Sequence, residues 1–403
     1  MGKWKEIRIS EIGPVFSGST PSTANSEFWD GEYVWITPAD LSMVDVPFVN
    51  SSSRKLTWLG VKKATNGLLP ENCVIISCRA PVGYCAVVSC DFSFNQGCKA
   101  IMPYEKYDSL YLYYSLKMYK GSLERVSSGT TFLELPKREL DRFKISIPLD
   151  TKEQSKIAEI LSTIDTGIEK TKAIVEKYKR IKTGMMQDLL VNGIDEKGNI
   201  RSQKDHKYKD SPIGKMPIEW EENRFDKIAK NITTKTKTMN DCINMDSIES
   251  DTGILLSLND SDIKSDKTVF KKGDILFGKL RPYLRKYWYA IFDGTCSSEI
   301  MVFRPDKYIT SLYLYYLVSS EGFVLFNDSQ TFGTRMPRTG WAIIKEYQAG
   351  IPEIDEQDRI TDKLLSIDAK IQSEQAYLKK LQGIKQGLMR DLLTNKVAVD
   401  ALL

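Results

Sequence analysis

A single histidine, His206, stands in a chain of 403 residues. A histidine–carboxylate dyad, a Ser-His-Asp triad or a multi-histidine metal site therefore has one candidate at most. Five of the seven cysteines, Cys73, Cys78, Cys85, Cys90 and Cys98, fall in one stretch. A zinc ribbon needs close C-x₂-C hooks, and none is present. Residues five apart on a strand point to opposite faces, so these thiols read as small buried hydrophobes in the reduced state. The segment GDILFGKL (273–280) fits a phosphate-binding loop as far as its lysine. Leu280 then stands where a magnesium-binding hydroxyl is needed, and Pro282 blocks the helix that must follow. It reads as a strand ending in a basic turn. No Asn-Pro-Pro or Asp-Pro-Pro element and no glycine-rich methyl-donor loop occurs. No catalytic residue, metal ligand or cofactor is expected.

What remains is a set of polar and basic turns at matched places. Thr20 lies in Ser-Gly-Ser-Thr-Pro (17–21), Arg79 in Arg-Ala-Pro-Val-Gly (79–83), and Thr130 and Thr131 in Ser-Gly-Thr-Thr (128–131). Later come Lys279, Arg281, Arg285 and Lys286 in one turn, Thr334 and Arg335 in another, and Arg338 just beyond. Arginine and lysine on turns beside aromatics suit phosphate and base-edge contacts. A lone loop of this kind reads as solvated surface. Recurrence in both halves favours DNA, because a protein with two-fold-like repetition can straddle two half-sites.

The elements that must position these turns come in two copies. SLYLYY occurs at 109–114 and again at 311–316. Glu153, Gln154, Ile157, Leu161, Ile164, Asp165 and Ile168 reappear as Glu356, Gln357, Ile360, Leu364, Ile367, Asp368 and Ile371, a spacing of 203 residues. GMMQDLL (184–190) reappears as GLMRDLL (387–393). In each copy the apolar residues step by three and four, continuing through Val175, Tyr178, Ile181, Met185 and Leu189 in the first and Leu378, Leu381, Ile384, Leu388 and Leu392 in the second. Pro148 and Pro352 stand just before each stretch. About 38 residues make a helix of roughly 57 Å. So narrow a seam on so long a helix needs a partner helix, and the twin copy supplies it as a coiled coil.

The rest of each half alternates strand-like and helical text. VIISC (74–78), YCAVVSC (84–90) and KAIMP (99–103) precede a helix near 108–120. DILFGK (274–279), KYWYAIF (286–292) and EIMVFRP (299–305) precede one near 310–320. The expected organisation is an α/β (α+β) domain over 1–146, a helix over 147–195, a polar linker over 196–216, a second domain over 217–350 and a second helix over 351–403. Apolar residues at 41% and charged ones at 27% fit folded globular domains. The net charge of +4 neither demands nor excludes nucleic acid. No apolar run spans a bilayer, and MGKWKEIRISEIG carries no signal core, so a cytoplasmic, membrane-free protein is expected.

This order, together with FSGSTPS…EYVWITPADL (16–41), the paired SLYLYY segments, the closing G-x-x-x-DLL text and the linker DLLVNGID…GNIR…YKDSPIGKMPIEW (188–220), resembles the specificity subunits of Type I restriction–modification enzymes. The resemblance implies two target recognition domains, each reading half of a split double-stranded DNA sequence. It also implies an antiparallel helical spacer, two methyltransferase subunits docked on it, and restriction subunits with ATP-driven translocation. Catalysis would then lie in the partners. KNITTKTKTMNDC (230–242) lacks the Gly-Ser-Thr-Pro run of the first half. A structural coiled-coil scaffold and a stand-alone DNA-modifying enzyme are the alternatives.

Overall fold

The computed structural model describes residues 3–44, 46–79, 81–127, 133–237, 242–258, 266–331 and 336–399. They form two compact units, one of Met1–Ile174 with Glu374–Leu403, the other of Val175–Ser373. Each unit thus takes one globular domain and a part of both long helices.

In the first unit, Trp4–Arg8 pairs antiparallel with Lys144–Pro148 and closes the ends of the domain on each other. Between them lies a five-stranded sheet in the order Val15–Ser17, Cys98–Ile101, Val74–Ser77, Cys85–Val88, Phe48–Val49. Val74–Ser77 is buried along its whole length, which is why it reads as an unbroken apolar run instead of an alternation. A three-stranded sheet follows the order Lys55–Leu56, Trp29–Ile36, Phe92–Phe94, with the last two parallel. Helix Ser109–Met118 covers the larger sheet with Tyr111, Leu112, Tyr114 and Leu116 buried. Asp108 caps it by accepting from Tyr111 N–H at 2.8 Å.

The second unit repeats the plan. Glu221–Arg224 pairs with Gln348–Ile351. One four-stranded sheet runs Ala229–Ile232, Ile300–Pro305, Ile275–Gly278, Tyr287–Tyr289, and the other Lys235–Thr236, Lys267–Phe270, Gly294–Cys296, Cys242–Ile243. GDILFGKL is a strand ending in a turn, as its sequence reads. Helix Ser311–Ser319 takes the place of its SLYLYY twin and is capped by Thr310. The polar linker carries structure of its own: a hairpin pairs Tyr208–Ser211 with Gly214–Pro217, and Arg201 forks onto Glu356.

The long helices run unbroken over Thr151–Val191 and Ile354–Leu392, 41 and 39 residues, or about 60 Å each. In the first unit Ile157, Ala158 and Leu161 share a core with Leu392 and Leu393. In the second, Leu189 shares one with Ile360 and Leu364. In each unit the beginning of one helix therefore meets the end of the other, an antiparallel pairing. One expectation fails: Ile181 and Ile384, placed in the seam by their spacing, are 39% and 40% exposed. A helix facing a partner keeps a seven-residue repeat, and from Leu161, Ile168 and Val175 that repeat arrives at Lys182 before Leu189. The lysine takes the inward position and the isoleucine turns out.

Candidate nucleic-acid interface

The Ser-Gly-Ser-Thr-Pro loop is held from every side. Ser19 N–H donates to the Phe94 carbonyl at 3.0 Å. Thr65 N–H donates to Ser19 Oγ and Asn66 Nδ2 to the Ser17 carbonyl. Trp35 Nε1 donates to the Ser19 carbonyl at 3.2 Å, and Trp29 Nε1 to that of Ser22 at 3.1 Å. Gly18 passes so close to the 94–95 backbone that a Cβ would sit 2.2 Å from the Asn95 carbonyl oxygen, so this residue type is required there. Thr20 Oγ1 accepts from Asn95 Nδ2 at 2.8 Å and donates to Gln96. Next to Gln96, the Gly97 carbonyl accepts from Cys78 N–H, and the Cys78 carbonyl accepts from Leu135 N–H. Thr20, exposed Gln96 and Arg79 thereby gather on one edge of the first unit. Arg79 faces Glu134 at 3.2 Å with both side chains nearly half exposed. So exposed a pair is worth about 1 kcal/mol or less, which leaves the guanidinium open to a competing phosphate. Thr130 and Thr131 lie outside the described residues.

The ITPADL text completes this edge. Thr37 and Asp40 form a capping box around Pro38, and Asp40 also accepts from Ser53 N–H and Oγ at 2.8 and 2.7 Å. Burial pushes the Asp40 carboxyl up, but the hydrogen bonds from Thr37 and Ser53 outweigh it and hold the group below its ordinary value. It is a fixed anion tying the 52–54 loop to the helix.

The second unit has the matching turn. Lys279 N–H donates to the Glu299 carbonyl, and Thr339 N–H to that of Lys279. Arg281 and Arg285 both stand in the left-handed region at φ 51° and bracket a short turn, Pro282–Leu284. Their side chains divide the work. Arg285 donates to Asp251 at 2.5 Å and to the Ser319 carbonyl at 2.9 Å, and Lys286 to the Met245 and Ile248 carbonyls. Both brace the turn. Arg338 pairs loosely with Glu299, at 3.2 and 3.4 Å. Among the described residues the Lys279 ammonium and the Arg281 guanidinium have no such partner. Thr334 and Arg335 lie outside the described residues.

The Cys73, Cys85 and Cys296 thiols are pushed up by burial to about 12, the condition of packed, unreactive sulfur. His206 N–H donates to the Ser202 carbonyl at 3.0 Å, and its Nδ1 is buried without a hydrogen-bond partner among the described residues. No three His, Cys, Asp or Glu side chains gather in a metal-holding group among those residues, and no helix among them is long and apolar enough to cross a membrane.

Each globular domain is anchored to the long helices by the same two devices. Gln154 Oε1 accepts from Asp108 N–H at 2.8 Å while its Nε2 donates to the Pro148 carbonyl. Gln357 repeats this with Thr310 and Pro352. The second device is a triad. In the first unit Tyr114 donates to Asp165 at 2.8 Å, and Lys385 from the other long helix pairs with the same carboxylate. In the second, Tyr316 donates to Asp368 at 2.8 Å and Lys182 pairs with it at 2.6 Å. Burial, reinforced by the neighbouring carboxylate, pushes both tyrosine hydroxyls up, so they remain donors. Asp165 and Asp368, and Lys182 and Lys385, keep the 203-residue spacing. The repeated Asp was visible in the sequence. The repeated Lys was the overlooked signal, a cation recurring at an inward heptad position.

The model of the Type I restriction modification DNA specificity domain matches residues 1–178 and again 217–383. The chain belongs to this specificity-domain family. It is similar to the Type I restriction enzyme MjaVIII specificity subunit of Methanocaldococcus jannaschii, at 27% identity over 99% of this chain and 94% of that one. To the MjaIX specificity subunit of the same organism it is 33% identical over 56% of this chain, a match that spans only 52% of that relative. The EcoDI specificity subunit of Escherichia coli is 26% identical over 90% of this chain and 80% of its own length. Among solved structures, the S subunit of the M. genitalium Type I restriction-modification system aligns over 97% of this chain and 96% of that one. Its TM-score is 0.61 at 14% identity, a likeness of fold. A specificity-domain fold in two copies is thus present, with mixed α/β domains carried on long helices.

Proposed function

We propose that this protein is the DNA-specificity subunit of a Type I restriction–modification complex. Each of its two recognition domains reads one half of a bipartite double-stranded target. The long helices set the gap between the halves and dock two methyltransferase subunits, and restriction subunits with translocase activity join that core in the cytoplasm. The subunit itself is non-catalytic. The observation that carries this reading is the duplication: two matches to the specificity domain, each presenting a polar and basic edge and each anchored by the same glutamine and tyrosine–aspartate–lysine contacts. Thr20, Arg79, Lys279, Arg281 and Arg338 are its candidate DNA contacts, and Thr130, Thr131, Thr334 and Arg335, which lie outside the described residues, are further candidates from the sequence. Arg285 and Lys286, expected from the sequence in the same role, give side-chain donors to Asp251 and to the Ser319, Met245 and Ile248 carbonyls, which supports a bracing role for them.

The test pairs activity with specificity. The purified chain with S-adenosylmethionine alone should leave DNA unmethylated, and adding the methyltransferase subunit should produce methylation of a split motif. Replacing residues 1–146 with a relative's domain should then change one half of that motif and preserve the other. Methylation by the isolated chain would instead mark a stand-alone enzyme. Intact host methylation after the gene is deleted would leave only a scaffold.

A further inference from the structure

Arg54 sits in the polar run Ser51-Ser52-Ser53-Arg54-Lys55, where nothing in the sequence distinguishes it. In the structure its guanidinium carbon lies 3.7 Å from the centroid of the Trp29 ring and 5.9 Å from that of Trp35. The two indoles meet edge to face at 4.9 Å and are almost wholly buried. They are the same indoles whose N–H groups hold the Thr20 loop at Ser22 and Ser19. The backbone beneath the arginine is equally fixed. Ser52 Oγ accepts from Trp35 N–H and donates to the Arg54 carbonyl, and Ser53 is held twice by Asp40. The side chain is exposed. Among the described residues no carboxylate or carbonyl takes its N–H donors, in contrast to Arg79, Arg285 and Arg338.

A guanidinium laid on an aromatic face keeps its in-plane donors pointing outward with less freedom left to lose on binding. Such a fork matches two acceptors side by side, as on a guanine O6/N7 edge or two phosphate oxygens. We propose that Arg54 is a DNA-contacting residue of the first recognition domain, presented with Thr20 on one rigid tryptophan platform. This rests on the function proposed above.

The test uses the full chain assembled with its methyltransferase subunit, and duplexes carrying the motif found by methylome sequencing. Affinity is measured for wild type, Arg54→Ala, Arg54→Lys and Arg54→Gln over a salt series. Arg54→Ala should bind the cognate duplex about tenfold to a hundredfold more weakly. If the fork reads guanine, Arg54→Ala should tolerate substitution at one position of the first half-target, and Arg54→Lys should not restore discrimination. If it holds phosphate, all sequences should weaken together, the salt slope should fall by about one, and Arg54→Lys should recover part of the loss. Either pattern supports the assignment. The Gln variant keeps the stem on the platform, so it separates loss of contact from loss of fold. Folded Ala and Gln variants with wild-type affinity, sequence profile and salt slope would overturn it. A wild-type complex that binds no bipartite duplex would defeat the parent reading instead.

Discussion

At the scale of single residues, the two left-handed arginines of the second unit make opposite predictions. Arg281 has a side chain without a partner among the described residues, on a backbone conformation that costs an L-residue about 1 kcal/mol or more. Arg281→Gly should therefore leave stability within about 1 kcal/mol of wild type while weakening DNA binding. Arg285 uses the same backbone conformation to brace Asp251 and the Ser319 carbonyl. Arg285→Ala should cost about 1–2 kcal/mol and affect DNA only through the shape of the turn. Urea denaturation and duplex titration on both variants give the comparison. A stable Arg285→Ala protein with weakened binding, beside an Arg281→Gly protein that binds normally, would reverse the assignment. Sequence spacing brought both arginines into view because they share one basic turn. It could not separate them, since the difference lies in Asp251 and Ser319, which are distant in the chain. Arg54 was illegible for a similar reason: its platform, Trp29, comes from a neighbouring strand that is distant in the chain.

Among elements, the tyrosine–aspartate–lysine triads deserve a quantitative test because each joins a domain helix to both long helices. Lys182→Met would leave the Asp368 carboxylate with the Tyr316 hydroxyl and no cation. Breaking a largely buried pair in this way should cost about 3 kcal/mol. Adding Asp368→Leu removes the stranded charge, so the double variant should lose clearly less than the sum of the two single losses. Equilibrium denaturation of the four proteins measures that difference, and simple additivity would show that the lysine and aspartate do not act together. Most elements near these triads were legible. The apolar runs 74–78 and 299–305 are strands, and the long amphipathic stretches are helices. The short strands at 48–49, 55–56 and 235–236 were not, because two residues carry no period and owe their shape to the neighbours they pair with. Nor was the exposure of Ile181 and Ile384 foreseen, since counting apolar residues ignores that a charged one can hold an inward heptad position.

For the whole molecule, the helices are proposed as the ruler between two half-targets. The structure suggests how to lengthen it evenly: four residues inserted after Ile174 and four after Tyr377, its counterpart 203 residues on. Four residues add about 6 Å and close to one helical turn, so inward positions stay inward, and neither insertion falls between a triad's members and their own unit's domain. At about 3.4 Å per base pair, the unspecified gap in the methylated motif should widen by one or two base pairs with both half-sequences unchanged. An active variant with the original gap would show that the helices do not measure distance. The matched triads also bear on how such a gene can change over generations. A crossover between two alleles within the repeated helix text would exchange an entire reading head. Because tyrosine, aspartate and lysine recur in matching elements of both halves, the recombinant would inherit a complete set of anchors with its new head, and a new target could arise in one event without any packing having to be invented.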